Sequence, residues 1–166
     1  MKTLKELTWE HHKEAERQGF VKILMSGKIH PEVYANYLFN QHQCYNILEP
    51  LAMAEGLLDK FPFIRRAPAI KADFDELWTY AHQPMMMEST RKYVDYANKE
   101  LMDCPEKIMA HIYVRHMGDL SGGQMIKRKV PGLGKYYEFK FNKNPEHGIT
   151  YKDTNEIKEA LRLAVD

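Results

Sequence analysis

Apolar residues recur three or four positions apart along most of this chain, the spacing that puts side chains on one face of an α-helix. Pro50 is expected to kink or interrupt the second of the helices that this spacing predicts. Residues 131–153 carry no such period, and we expect mostly loop there. The fold class is therefore predicted to be all-α, with helices over 4 to about 19, 31–49, 69–82, 88–102, 105–130 and 154–166.

Length and charge narrow the class of protein further. A chain of 166 residues suits one compact domain, here 1–166. Its 24 Lys and Arg nearly balance its 23 Asp and Glu, which argues against a nonspecific nucleic-acid binder. Cys44 and Cys104 form no CxxC pair, so neither a disulfide framework nor a zinc site is indicated. The N-terminus is charged from its second residue, and the most apolar stretch, 46–58, is broken by Glu49, Pro50 and Glu55, so we expect a cytoplasmic protein without membrane insertion.

The segment "HMGDLSGGQ" places three glycines, Gly118, Gly122 and Gly123, within a predicted helix. Each should cost roughly 1 kcal/mol relative to alanine, so their presence requires a reason. One interpretation is that the missing Cβ atoms let the backbone approach a flat ligand closely. The other is that Gly118 ends a helix and "SGG" forms a turn. Asp119 beside them is a candidate anchor for a water network.

The segment "TWEHHKEAE" is the second candidate for chemistry. A neutral imidazole is a good iron ligand, especially when a carboxylate accepts a hydrogen bond from its other ring nitrogen. Glu16 follows His12 by four residues and shares its helical face. The alternative is that His11 and His12 are merely a surface pair on a charged helix.

The two segments together resemble the heme oxygenase family, in "HIYVRHMGDLSGGQMIKR" and in "LKELTWEHHKEAERQGF", with the resemblance fading after about Lys129. It implies a heme sandwiched between a proximal helix and a glycine-bearing distal helix. His12 matches the iron ligand, with Glu16 as its partner. Heme contacts match Lys5, Tyr113, Gly118, Gly122 and Gly123. The distal hydrogen-bond network matches Asp119, Tyr45, Tyr93 and Arg115.

The resemblance implies a heme oxygenase that uses O2 to convert heme b, its substrate and cofactor, to biliverdin, Fe2+ and CO. No flavin-binding segment is evident, so the resemblance suggests an external donor, a ferredoxin, which could dock at the basic run Lys127, Arg128 and Lys129. The C-terminal part is shorter than usual for the family, and Lys143 and Lys152 are both candidates for the second propionate. Two alternatives are a non-catalytic heme carrier or sensor, and a helical scaffold for a di-iron site.

Overall fold

The first helix lies on the outside of the fold, and the second connects it to the core. The computed structural model describes residues 2–140 and 155–161. Helix α1 spans Leu4–Glu16 and α2 spans Gly19–Met25. Thr3 and Glu6 form the reciprocal capping box that begins α1, with Glu6 N donating to Thr3 Oγ1 at 3.2 Å. Helix α1 buries no residue and contacts α2.

Helix α3, Pro31–Ala54, is the central element of the fold. Pro31 occupies its first turn, where a missing N–H costs nothing, and His30 Nδ1 accepts a hydrogen bond from Glu32 N at 3.2 Å. The helix continues through Pro50, so the predicted interruption there is wrong. Pro50 removes its own N–H donor from the helix, but only the last four residues of α3 follow it, so any local distortion affects a short segment.

Helices α4 and α5 pack on α3. Helix α4 spans Ala67–Leu77, and ends earlier than predicted because Trp78 has an extended ψ of 91°. Helix α5, Glu88–Tyr96, continues as a widened π-helical turn over Ala97–Leu101, which together match the predicted 88–102. A short 3-10 helix, Pro62–Ile64, precedes α4.

The glycine-bearing segment divides into two helices, α6 over Pro105–Ser121 and α7 over Gly123–Lys127. Gly118 lies inside α6, so it does not end the helix, whereas Gly122 is the junction between α6 and α7. The expectation that Gly118 ends a helix is therefore wrong, and the break falls within "SGG", at Gly122. The chain then forms a loop with a 3-10 turn, Lys135–Tyr137.

Residues 155–161 are again helical, as predicted, and the stretch 141–154 with Lys143 and Lys152 lies outside the described residues. One buried cluster lies mainly between α3 and α6 and includes Leu48, Ile108, Ile112 and Leu120. A second joins α2, α3, α4 and the 3-10 turn. The described residues contain helices and no strand, which confirms the all-α prediction.

Candidate active site

A cavity of about 570 Å³ opens between α3, α5, α6 and the Lys135–Tyr137 turn. The four predicted network residues all line it. Two of them, Arg115 and Asp119, follow His111 at four-residue spacing and therefore share one face of α6. The cavity is lined by Tyr37, Gln41, Tyr45, Tyr93, Ala110, His111, Val114, Arg115, Asp119 and Tyr136.

Asp119 is the acid of this cavity. The Tyr45 hydroxyl donates a short hydrogen bond to its Oδ2, and the Tyr136 hydroxyl donates to its Oδ1 at 3.1 Å. Burial of the carboxyl group raises the pKa of Asp119 to about 6, while the Tyr45 hydrogen bond and the charge of His116 oppose the rise. The group therefore changes its protonation state close to neutral pH.

Arg115 supplies the positive charge of the same wall. Its guanidinium carbon lies 4.2 Å from the centre of the Tyr93 ring and 5.6 Å from that of Tyr45. The Tyr93 hydroxyl lies 3.0 Å from His111 Nδ1. Burial and the charge of Arg115 lower the pKa of His111, so its ring is neutral at pH 7 and can pair with that hydroxyl.

A buried ion pair that the sequence pattern does not predict lies between α3 and α6, two of the helices that line the cavity. Glu49 and His116 are both completely buried, with Glu49 Oε2 2.9 Å from His116 Nε2. The other ring nitrogen, Nδ1, lies 3.2 Å from Ile112 O, so both nitrogens face acceptors, as in an imidazolium. Glu49 also accepts hydrogen bonds from the backbone N–H groups of Arg66, at 2.6 Å, and Ala67, at 2.9 Å. The pair thus joins α3, α6 and the start of α4.

The predicted residues of α1 lie apart from the cavity wall. The His12 side chain is 58% exposed, and its Nε2 lies 3.0 Å from Glu16 Oε1, so the expected partner is present. The His12 ring stacks on Trp9 with ring centres 5.6 Å apart. Lys5 is exposed as well. None of these residues lines the cavity, and α1 packs mainly against α2.

The glycines differ in what surrounds them. A Cβ added to Gly118 would meet no atom within 4 Å, whereas one added to Gly123 would lie 2.4 Å from Tyr137 Cδ1. The absence of a side chain at Gly123 therefore lets Tyr137 pack against α7, whereas the backbone at Gly118 is open to solvent. A Cβ on Gly122 would lie 3.4 Å from Gly118 O, an ordinary contact. Tyr113, also a predicted heme contact, packs against the core cluster and is half-buried.

An apolar strip runs along the exposed side of α6 and α7, next to Asp119. Val114 on α6 is 65% exposed and Met125 on α7 is 61% exposed, and Gly118, four residues after Val114, shares its face of α6. An open glycine flanked by apolar side chains and adjoining a carboxylate fits a flat, mainly apolar ligand.

Within residues 2–140 and 155–161, no group of three or more His, Cys, Asp or Glu is placed to hold a metal ion. The di-iron alternative therefore has no ligand set in that part of the chain. In the same ranges, no helix has both the length and the apolar character needed to cross a bilayer.

The described residues form an all-α fold in which the open backbone of Gly118 adjoins the carboxyl group of Asp119. Comparison with known proteins identifies the family. The heme oxygenase family model matches residues 1–160, well beyond the predicted limit near Lys129. The chain belongs to the heme oxygenase family.

Relatives and solved structures agree with this assignment. Mouse (Mus musculus) heme oxygenase 2 is 31% identical over 168 residues, which cover 90% of this chain and 52% of the relative. Heme oxygenase of Leptospira interrogans is 30% identical with a TM-score of 0.78, covering 98% of this chain and 82% of that one. Heme oxygenase-1 of the cyanobacterium Synechocystis, solved with heme, is 27% identical with a TM-score of 0.77, covering 97% and 75%. The chain spans about half the length of the first curated relatives it matches.

The pKa of Asp119 predicts how stability depends on pH. Because the folded-state pKa of about 6 exceeds the usual 3.8, the folded state loses stability as pH rises through this window. We expect wild type to lose about 2–3 kcal/mol of unfolding free energy relative to Asp119→Asn between about pH 4 and about pH 7. Urea unfolding at a series of pH values measures this, with the exposed Asp95→Asn as control. Parallel curves for wild type and Asp119→Asn would contradict it.

Proposed function

We propose that this protein is a heme oxygenase that converts heme to biliverdin, Fe2+ and CO with O2 and externally supplied electrons. The observation that carries the proposal is the juxtaposition on α6 of the open backbone at Gly118 with Asp119, whose carboxyl group is held by two tyrosine hydroxyls. Family membership supports the same reaction.

The residues present fit heme. The strip containing Val114, Gly118 and Met125 offers an apolar surface without a side chain at its centre, which lets a planar ring lie close to the α6 backbone. By resemblance to the family, His12 would bind the iron with Glu16 accepting from its other ring nitrogen. With His12 Nε2 3.0 Å from Glu16 Oε1, Nδ1 is the ring nitrogen left to face the iron in this arrangement.

The heme edge needs partners for its propionates. By the same resemblance, Lys5 and Tyr113 are assigned to them, with a cation and a hydroxyl as chemically suitable groups. Gly122, whose added Cβ would already be in contact with Gly118 O, extends the surface beside Gly118.

Heme supplies, when bound, the iron at which O2 is reduced, and the protein supplies protons and orientation. Asp119 carries or releases a proton near neutral pH, and its cavity-facing side can hold a hydrogen-bonded water. Tyr45 keeps the carboxyl group in place, while Arg115, packed on Tyr93, keeps the wall positively charged. His12 would offer the iron an imidazole ligand rather than a thiolate.

Electrons would come from a separate donor, with a ferredoxin as the proposed one. The basic run at the end of α7 comprises Lys127, Arg128 and Lys129, of which Arg128 and Lys129 are exposed. Such a cluster favours docking of an acidic protein. The run begins two residues after Met125, so a protein docked there would lie next to the proposed heme surface.

The test supplies heme-loaded protein with O2 and either ascorbate or reduced ferredoxin, and analyses the product. We expect loss of the Soret band, biliverdin absorbance and release of CO. A Soret band that persists without biliverdin would instead identify a heme carrier or sensor.

Gly118→Leu tests the proposed heme surface separately from folding. The new side chain enters open space and replaces a helix-interior glycine, so the apo protein should be as stable as wild type or more stable by roughly 1 kcal/mol. Heme affinity should fall at least about tenfold because the side chain occupies the ring's place. Thermal unfolding and optical heme titration measure the two effects. Unchanged heme affinity would place the ring elsewhere.

A further inference from the structure

Tyr136 occupies a place in the cavity wall that the helical pattern does not predict. It lies on the Lys135–Tyr137 turn and is 1% exposed. Its hydroxyl lies 3.1 Å from Asp119 Oδ1 and 3.3 Å from the Tyr45 hydroxyl oxygen. The Tyr45 hydroxyl donates to Asp119 Oδ2, and of the two acceptors within reach of the Tyr136 hydroxyl the carboxylate oxygen Oδ1 is the nearer and the charged one, so each carboxylate oxygen receives one tyrosine donor.

The position of Tyr136 is fixed from its backbone. Asp73 on α4 accepts hydrogen bonds from Lys135 N at 3.0 Å and from Tyr136 N at 2.7 Å. Arg66 Nη1 donates to Tyr136 O at 2.9 Å. The Tyr136 ring stacks on that of Tyr137, with centres 4.1 Å apart and planes inclined by 10°. With its backbone and ring both held, the hydroxyl has little freedom to leave Asp119.

We propose that Tyr136 is a positioning residue that fixes the orientation of the Asp119 carboxylate and stabilises its ionised form. A carboxylate with one donor on each oxygen cannot rotate without losing a charge-assisted hydrogen bond. Its remaining lone pairs are then presented to the cavity, where a water would bind. The consequence for turnover rests on the proposed heme oxygenase function, but the arrangement of Tyr136 and Asp119 does not.

Several charged and titratable groups besides Tyr136 act on the pKa of Asp119. Two cations act on the carboxyl group from different elements, His116 on α6 and Arg66 before α4, and both lower its pKa. On α3, Tyr45 provides the other hydrogen bond, and Arg115 packs over the Tyr45 ring. Burial raises the pKa of Asp119, and hydrogen bonds to the ionised form lower it. Removing the Tyr136 donor therefore raises the pKa further.

Tyr136→Phe removes the hydroxyl and keeps the stacked ring. Tyr137→Phe is the matched control, because it removes a buried hydroxyl one residue away whose hydrogen-bond partner is Tyr37 rather than Asp119. In apo protein carrying 13C-labelled Asp carboxyl groups, with Asp119→Asn assigning the resonance, we expect the pKa of Asp119 to rise by about one unit in Tyr136→Phe. It should move much less in Tyr137→Phe.

The same variants are then compared after heme loading. The pH profile of turnover should shift upward in Tyr136→Phe in parallel with the apo titration, while the Michaelis constant for the electron donor stays unchanged. An apo titration identical to wild type, or an equal shift in both variants, would overturn the role of Tyr136. If the apo shift occurs but wild type produces no biliverdin, the role of Tyr136 is supported and the proposed function fails.

Discussion

Replacing Glu49 with alanine is expected to lower the free energy of unfolding by about 3–5 kcal/mol. The change leaves the His116 imidazole without its carboxylate in a completely buried position. It also removes the acceptor of the Arg66 and Ala67 backbone N–H groups, which begin α4. Urea denaturation of apo protein measures the loss. Glu55→Ala, an exposed acid at the end of the same helix, is the control and should change stability by less than about 0.5 kcal/mol.

The pair also predicts a non-additive result. In Glu49→Ala/His116→Leu the unpaired cation is absent, so the double variant should be more stable than the sum of the single losses predicts. Equal losses for Glu49→Ala and Glu55→Ala, or strict additivity, would show that the buried contacts do not act as a unit.

Replacing His12 with alanine is expected to weaken heme binding by more than about a hundredfold and to abolish biliverdin formation. Helix α1 buries no residue, so the apo protein should keep its stability. Optical titration with heme, followed by turnover with reduced ferredoxin, measures both effects. His11→Ala is the matched control, because its neighbour His12 keeps the contact with Glu16. Wild-type behaviour of His12→Ala in both assays would exclude it as the ligand.

Apolar spacing in the sequence predicts the helices, and family resemblance predicts residues of the cavity. The three- to four-residue period identifies the helices correctly and fails mainly at ends, as at Trp78, where one backbone torsion ends α4. Family resemblance groups Tyr45, Tyr93, Arg115 and Asp119, and in the structure these four residues line one cavity. Neither source predicts that Gly123 packs against Tyr137, because that contact depends on where a later turn folds back.

There are also physical reasons why the sequence does not predict some residues of the site. Tyr136 lies in a segment without helical period, and Asp73 holds it through backbone N–H groups, which leave no side-chain pattern. Glu49 did leave a signal, a charged residue inside the apolar run "NILEPLAM", which indicates a buried partner. That partner, His116, is 67 positions away, and sequence spacing cannot identify it.

We propose that α1 brings His12 to an iron held over the Gly118 surface. Pulsed EPR of the heme complex, prepared with 15N-labelled histidine, detects a histidine nitrogen bound to iron. We expect a directly coordinated 15N in wild type and in His11→Ala, and none in His12→Ala. A coordinated histidine nitrogen that persists in His12→Ala would show that another histidine holds the iron.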